Sequence, residues 1–313
     1  MKIVFMGTPA AAARSLERLI ADGHEVAAVY TQPDRPSGRG NKIVFSPVKE
    51  FAIAAGLRVL QPTKVKTAEA AEEFRAFNAD LAIVVAYGRI LPASFLTAFS
   101  GGAINVHFSL LPKYRGAAPV NWAIVNGETE TGVTTMIMDA GLDTGPTLLQ
   151  EAVPINAGEN SIELMDRLGH LGADVLSRTL ANLDAIVPKE QDNSLVSFAP
   201  ILSKNDGSID WTSTSKTILN RVRGFQPFPT AYTFLDRKRL TIWDAEAIDR
   251  VDHDAPGTII ESLRESLVIA CGDGTAIRVD ELQIEGKRRM SARDFINGVR
   301  PDRGTVLGGR IEV

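Results

Sequence analysis

The feature that most constrains the fold is a succession of short apolar runs, each closed by a glycine- or proline-marked turn. Residues 2–6 form the first, followed by Gly7-Thr8-Pro9, an alanine-rich helix to about residue 22, the closing Gly23-His24 and a second strand over 25–30. Strand, glycine turn, helix, strand is a βαβ unit, which calls for a parallel sheet covered on both faces. Segments 57–60 and 79–86, separated by an amphipathic helix around 68–77, continue the pattern, and 102–107 extends it. Leu81-Ala82-Ile83-Val84-Val85-Ala86 is apolar on both faces, as a central parallel strand must be. Ser46-Pro47 supplies an N-cap and a first-position proline for a helix in between. The first turn carries one glycine, so the dinucleotide-binding fingerprint is absent and a plain scaffold is the better reading there.

Further along, 117–125 reads as a helix, 131–138 and 147–155 as strands, and 160–183 as a long amphipathic helix. Polar residues from Pro188 to about Asp206 have linker character, interrupted by an apolar patch at 195–201. The texture then changes. After a short helix near 213–223 come brief alternating segments at 231–235, 240–247, 258–261, 266–270 and 276–285, separated by turns such as Pro256-Gly257 and Gly272-Asp273-Gly274. Short strands at this spacing predict a small β-barrel. At 313 residues the chain suits two domains. The expected division is an α/β domain with a mostly parallel twisted sheet over 1–188, a linker over 189–206 and a β-barrel over 207–313.

Composition excludes more than it assigns. Apolar residues make up 44% and charged residues 23%, ordinary values for a globular protein. The formal net charge of −4 gives no general attraction for a polyanion, so any such binding must come from local patches. Two kinds of patch exist. The proline- and glycine-punctuated segment 31–42 sets Arg35, Arg39 and Lys42 against Asp34 alone, which suits a phosphate backbone or simply a solvated loop. Residues 207–313 hold 16 Lys/Arg and 16 Asp/Glu, but bunch their positives at Arg237-Lys238-Arg239 and Lys287-Arg288-Arg289. The single Cys271 excludes a disulfide framework, and His24, His107, His170 and His253 are not at metal-ligand spacing, so no metal is expected. The N-terminal apolar run is too short for a signal peptide and no window reaches membrane-spanning length, so a cytoplasmic protein is expected.

The chemistry concentrates at Ile104-Asn105-Val106-His107, the end of one predicted strand. Alternate strand residues point the same way, so Asn105 and His107 share a face. The amide of Asn105 suits an oxygen that gains negative charge when a carbonyl is attacked. An imidazole, ordinarily titrating near pH 6.5, can take a proton from an attacking amine. Asp143, in the turn Gly141-Leu142-Asp143-Thr144-Gly145, would orient that imidazole, stabilise its cation or hold a water for proton relay. Each has a structural alternative: a satisfied buried amide, a core histidine, a turn-capping aspartate. Ser109 lacks the Gly-x-Ser-x-Gly surroundings of a hydrolase nucleophile. Together the three residues suit acyl transfer between two substrates.

Asn105-Val106-His107-x-Ser109-Leu110-Leu111-Pro112, then Arg115-Gly116 and Gly141-Leu142-Asp143-Thr144-Gly145, resembles the 10-formyltetrahydrofolate-dependent formyltransferases. The start Phe5-Met6-Gly7-Thr8-Pro9, the loop Pro33-Asp34-Arg35-Pro36-x-Gly38-Arg39-Gly40, Val84-Val85-Ala86-Tyr87-Gly88, Ile209-Asp210-Trp211 and Pro256-Gly257-Thr258-Ile259 are similar to the members acting on methionyl initiator tRNA. The resemblance covers nearly the whole chain. It implies a Rossmann-like formyltransferase domain joined to an OB-like β-barrel, and transfer of formyl from 10-formyltetrahydrofolate to the methionyl α-amino group for translation initiation. It makes Asn105, His107 and Asp143 catalytic. It puts Ser109, Leu110, Leu111, Pro112, Val85, Tyr87, Gly88 and Asp139 against the folate, and Arg35, Arg39, Lys42 and Lys204 against tRNA. A monomer without metal is expected.

Phe108 departs from the resemblance, standing where relatives often carry a small residue, and is expected to narrow the crevice. The motif alone equally fits a purine-synthesis formyltransferase or a folate-binding hydrolase, but neither explains the basic loop. A non-catalytic RNA-binding module would have no need of the Asn/His/Asp set.

Overall fold

The computed structural model describes residues 1–37, 42–248, 254–263 and 266–308. The chain forms two compact units, one of Met1–Pro119, Glu130–Pro154 and Glu163–Pro200, the other of Val120–Thr129, Ile155–Ile162 and Ile201–Val313. The first is built on a seven-stranded sheet in the order Thr147–Pro154, Glu130–Ile137, Ala103–His107, Leu81–Val85, Lys2–Gly7, Glu25–Tyr30, Val59–Leu60. Its last five strands are parallel, and of the two at the other edge only Glu130–Ile137 runs opposite to the rest, pairing antiparallel with both of its neighbours, so the sheet is mostly parallel. Successive strands step outward from Lys2–Gly7 to Val59–Leu60, and the next in sequence, Leu81–Val85, lies on the opposite side of Lys2–Gly7. That reversal is the switch point at which open α/β sheets leave a crevice beyond their strand ends.

Local sequence explains the elements. Leu81–Val85 is buried at every residue, which requires its apolar run. A Cβ on Gly7 would stand 2.7 Å from Ala12 Cβ and 3.0 Å from the Val85 carbonyl oxygen, so this glycine serves helix–sheet packing. Ser46 Oγ accepts from Lys49 N at 3.1 Å and caps the Pro47–Ala54 helix as its sequence demands. Tyr30, Phe74, Phe95 and Phe99 pack edge to face, with ring centroids 5.2, 4.7 and 5.2 Å apart along the series.

Two segments differ from expectation. The 31–42 region is not irregular throughout: Arg35–Ser37 and Lys42–Val44 form an antiparallel ladder, since the β-branched Ile43-Val44 favours extended backbone. Residues 189–199, read as linker, are stitched to the first unit. Lys189 exchanges backbone hydrogen bonds with Thr147 at 2.8 and 2.9 Å, and Phe198–Ala199 pairs in parallel with Arg115–Gly116.

The second unit is an antiparallel sheet in the order Ala231–Leu235, Lys238–Ile248, Ala276–Ile284, Ser266–Ala270, Ile259–Leu263, with Met290–Ser291 beside Ala276–Ile284. Helices Ser215–Gly224 and Ala292–Val299 contribute Ile218, Val222, Phe295 and Ile296 to its core, with Trp211, Ile242, Ile277 and Leu282. Cys271 lies in that core, 2% exposed, and burial pushes its thiol up to about 12. Disulfide exchange needs the thiolate. Near neutral pH an aromatic disulfide should therefore leave Cys271 of the folded protein unmodified while reacting fully with denatured chain. Modification at equal rates in both states would contradict this packing.

Candidate active site

Asn105 and His107 are 9% and 6% exposed on the Ala103–His107 strand and share a face, as strand alternation requires. Asp143 is brought to that face by a turn that folds back on itself. The turn leaves Glu130–Ile137 beside the start of the Ala103–His107 strand, since Ile137 pairs with Ile104 and Thr134 with His107. Its compactness depends on glycine. A Cβ on Gly145 would collide with the Ile137 carbonyl, and one on Gly141 with Thr144. Asp139 locks the turn, accepting from Gly141 N at 2.9 Å and from Thr144 Oγ1 at 2.7 Å.

The three side chains meet. Asn105 Nδ2 lies 3.5 Å from Asp143 Oδ1, and His107 Nδ1 lies 3.8 Å from Asp143 Oδ2. Asp143 Oδ2 also accepts from Gly116 N at 2.9 Å, and Asp143 itself sits at φ +52°. His107 Nε2 is 2.9 Å from the Tyr114 carbonyl oxygen. A carbonyl only accepts, so Nε2 carries the proton and neutral His107 keeps its Nδ1 lone pair on the Asp143 side. A proton arriving at Nδ1 would meet the carboxylate at once. The arrangement thus holds an amide donor, a proton acceptor and an anion for the resulting cation within one small volume.

The loop after the strand is held from below by residues that sequence reasoning missed. Thr134, fully buried in the Glu130–Ile137 strand, donates from Oγ1 to the Ser109 carbonyl at 2.6 Å and accepts from Leu111 N at 3.2 Å. Gln150 Nε2 donates to the Leu111 carbonyl at 2.7 Å. The sequence carries no signal that sets Thr134 apart, since Thr131 and Thr135 of the same strand are buried hydroxyls too. Ser109 is also fully buried, its hydroxyl donating to the Lys113 carbonyl at 2.7 Å. Leu111 is buried, while Leu110 and Pro112 are half-buried.

Other expected positions fall differently. Phe108 does not narrow the crevice. It is one residue out of phase with Asn105 and His107, and its ring lies with Val106 where a Cβ on Gly172 of the Ser161–Ala181 helix would come within 3.1 Å. Val85 and Tyr87 are buried side chains, and burial pushes the Tyr87 phenol up. That loop therefore offers a ligand its main chain, with Ala86 and Gly88 at φ +44° and +80°. Arg39 lies outside the described residues, and of Arg35 and Lys42 the backbone is placed in the hairpin. Lys204 is exposed in the second unit, in the turn Lys204–Gly207. In the same unit Lys238, Lys287 and Arg288 are exposed around a concavity of about 830 Å³, whereas Arg289 pairs with Glu281 and stacks on Trp243. Among the described residues no cluster of His, Cys, Asp and Glu could hold a metal ion, and no helix is long and apolar enough to cross a membrane.

Comparison with known proteins agrees with this layout. Residues 1–180 match the family model described as formyl transferase, and residues 201–300 the one described as formyl transferase, C-terminal domain. The chain is 48% identical to the methionyl-tRNA formyltransferase of Caldanaerobacter subterraneus, over 98% of this chain and 100% of that one. It is 49% identical to that of Geobacter sulfurreducens, over 98% and 97%. Among solved structures, the N-formyltransferase from Helicobacter canadensis in complex with folinic acid and dTDP-3-aminofucose superposes with a TM-score of 0.65 at 22% identity, covering 89% of this chain and 98% of that one. HypX from Aquifex aeolicus in complex with tetrahydrofolic acid gives 0.66 at 17% identity, covering 99% and 51%. These two show the shared fold. With both of its parts matched and relatives of equal length nearly half identical to it, the chain belongs to the formyl transferase family.

Proposed function

We propose that this chain transfers the formyl group of 10-formyltetrahydrofolate to the α-amino group of methionine esterified to initiator tRNA. The observation that carries the reading is the convergence of Asn105, His107 and Asp143 in a chain related end to end to methionyl-tRNA formyltransferases. The proposed division of labour follows the chain: 1–188 performs the transfer, 189–206 leads on from it with its first part bonded to the first unit, and 207–313 helps hold the tRNA. The same reading makes the protein a cytoplasmic monomer.

In this mechanism the methionyl nitrogen attacks the formyl carbon, forming a C–N bond while the carbonyl oxygen becomes an anion. Asn105 Nδ2–H donates to that oxygen, an interaction stronger in the transition state than before it. The proton lost by the attacking amine goes to His107 Nδ1, and Asp143 stabilises the imidazolium. The oxyanion then collapses to a carbonyl, the bond from the formyl carbon to the folate nitrogen breaks, and that nitrogen takes the proton held by His107 and leaves as tetrahydrofolate. Ser109–Pro112 and the main chain of Ala86-Tyr87-Gly88 are the proposed folate contacts, with Asp139 fixing the neighbouring turn. Arg35, Arg39, Lys42 and Lys204 are the proposed phosphate contacts, setting position rather than reading sequence.

Offered 10-formyltetrahydrofolate with either methionyl-tRNA or glycinamide ribonucleotide, the protein should formylate the tRNA. Preference for the ribonucleotide would overturn the reading. His107→Ala and Asp143→Ala should each slow transfer by about 10²–10⁴-fold with unchanged circular dichroism, and near-normal turnover would remove their assigned roles. Arg39→Glu should weaken use of tRNA, with a salt slope shallower by about 1, while folate affinity is kept. Equal loss of both would count against the loop's role.

A further inference from the structure

We propose that Gln191, from the segment that reads as a linker, is a positioning residue for the transfer: its amide clamps the turn that carries Asp143. The proposal rests on the function put forward above.

Gln191 Nε2 donates to the Asp143 carbonyl at 2.9 Å and to the Gly145 carbonyl at 2.8 Å. Its Oε1 accepts from Arg115 Nε at 3.0 Å and from Arg115 Nη2 at 2.8 Å. Both ends of the amide thus face partners that fix its orientation: two acceptors meet the NH₂, two donors meet the oxygen. Arg115 is 5% exposed and takes a further acceptor, Asn193 Oδ1, at 3.2 Å. Gln191 therefore ties the Asp143 turn to Arg115, whose chain neighbours carry the other fixed points of the site. Tyr114 supplies the carbonyl that meets His107 Nε2, and Gly116 supplies the N–H that meets Asp143 Oδ2.

The turn needs such a restraint. Asp143 at φ +52° occupies a conformation that L side chains seldom adopt, and strain of this kind persists where surrounding contacts over-determine it. The rest of the segment is anchored nearby. Lys189 pairs with Thr147, Ser197 Oγ accepts from Tyr114 N at 2.9 Å, and Ala199 O accepts from Ala117 N at 2.9 Å. Close approach of the backbones is built in, since a Cβ on Gly116 would stand 2.6 Å from Ala199 O. The segment is a strap across the two loops that hold His107 and Asp143.

Gln191→Glu separates the clamp from the packing. A carboxylate keeps an acceptor for Arg115 but turns its second oxygen against two carbonyls. Misplacing a reacting group by about 1 Å can cost on the order of 100-fold. Gln191→Glu should accordingly lower kcat about tenfold or more while KM for folate and for methionyl-tRNA, and the melting midpoint, change little. Amide exchange of Gly116, read by NMR, should quicken about tenfold, while Arg115 and Ala117, bonded to Ser197 O and Ala199 O, keep their protection. Gln191→Ala should share the kinetic and exchange changes and also lower the midpoint, because Arg115 loses an acceptor. Wild-type kcat in either variant, or undisturbed Gly116 protection, overturns the proposal. If the wild-type protein transfers no formyl group, the function above fails, and Gly116 exchange still decides whether Gln191 holds the turn.

Discussion

The carboxylate of Asp143 is the interaction on which the site depends. It takes a hydrogen bond from Gly116 N, faces His107 Nδ1 with the same oxygen, and presents its other oxygen to Asn105. Two of these partners share the Ala103–His107 strand and the third is Gly116, segments that no local rule brings to the turn of Asp143. The aspartate holds a positive φ to reach them, a conformation costing on the order of 1–3 kcal/mol that must be offset by its neighbours. A dipole and anion set in place before substrate arrives need no reorganisation during the reaction, which is the main source of electrostatic catalysis.

The sheet topology makes the meeting possible. A parallel strand after Ala103–His107 would have carried the following turn away from its face. Instead Glu130–Ile137 returns antiparallel, and the 139–146 turn doubles back against it. Thr134 and Gln150, from the two antiparallel strands, then brace the Ser109–Leu111 loop by its own carbonyls and N–H. The edge of the sheet that departs from parallel order is the edge that builds the site.

Much of the fold was legible because it rests on short-range rules. Period-two alternation put Asn105 and His107 on one face, the apolar run 81–86 gave a central strand, and Ser46-Pro47 marked a capped helix. The same alternation, followed one residue further, places Phe108 on the opposite face under the Ser161–Ala181 helix, away from the crevice. Other features rest on distant partners. Nothing local to Tyr87 tells that its ring is buried, and nothing local to Gln191 tells that a polar stretch is stitched to Thr147, Arg115 and Asp143.

The sequence by itself determined the α/β class, the change to short alternating strands after about residue 206, and that an amide and an imidazole share one face of a strand. These follow from periodicity, turn residues and chemical type, each read within a few positions along the chain. Tertiary structure alone decided that Asp143 stands 38 residues from Asn105 in sequence yet 3.5 Å away in space. It decided also which nitrogen of His107 faces Asp143, and that Gln191 is hydrogen-bonded to the turn that carries Asp143. The physical reason is that hydrogen bonds between remote segments depend on strand direction and backbone strain, and neither is written in the spacing of residues along one segment.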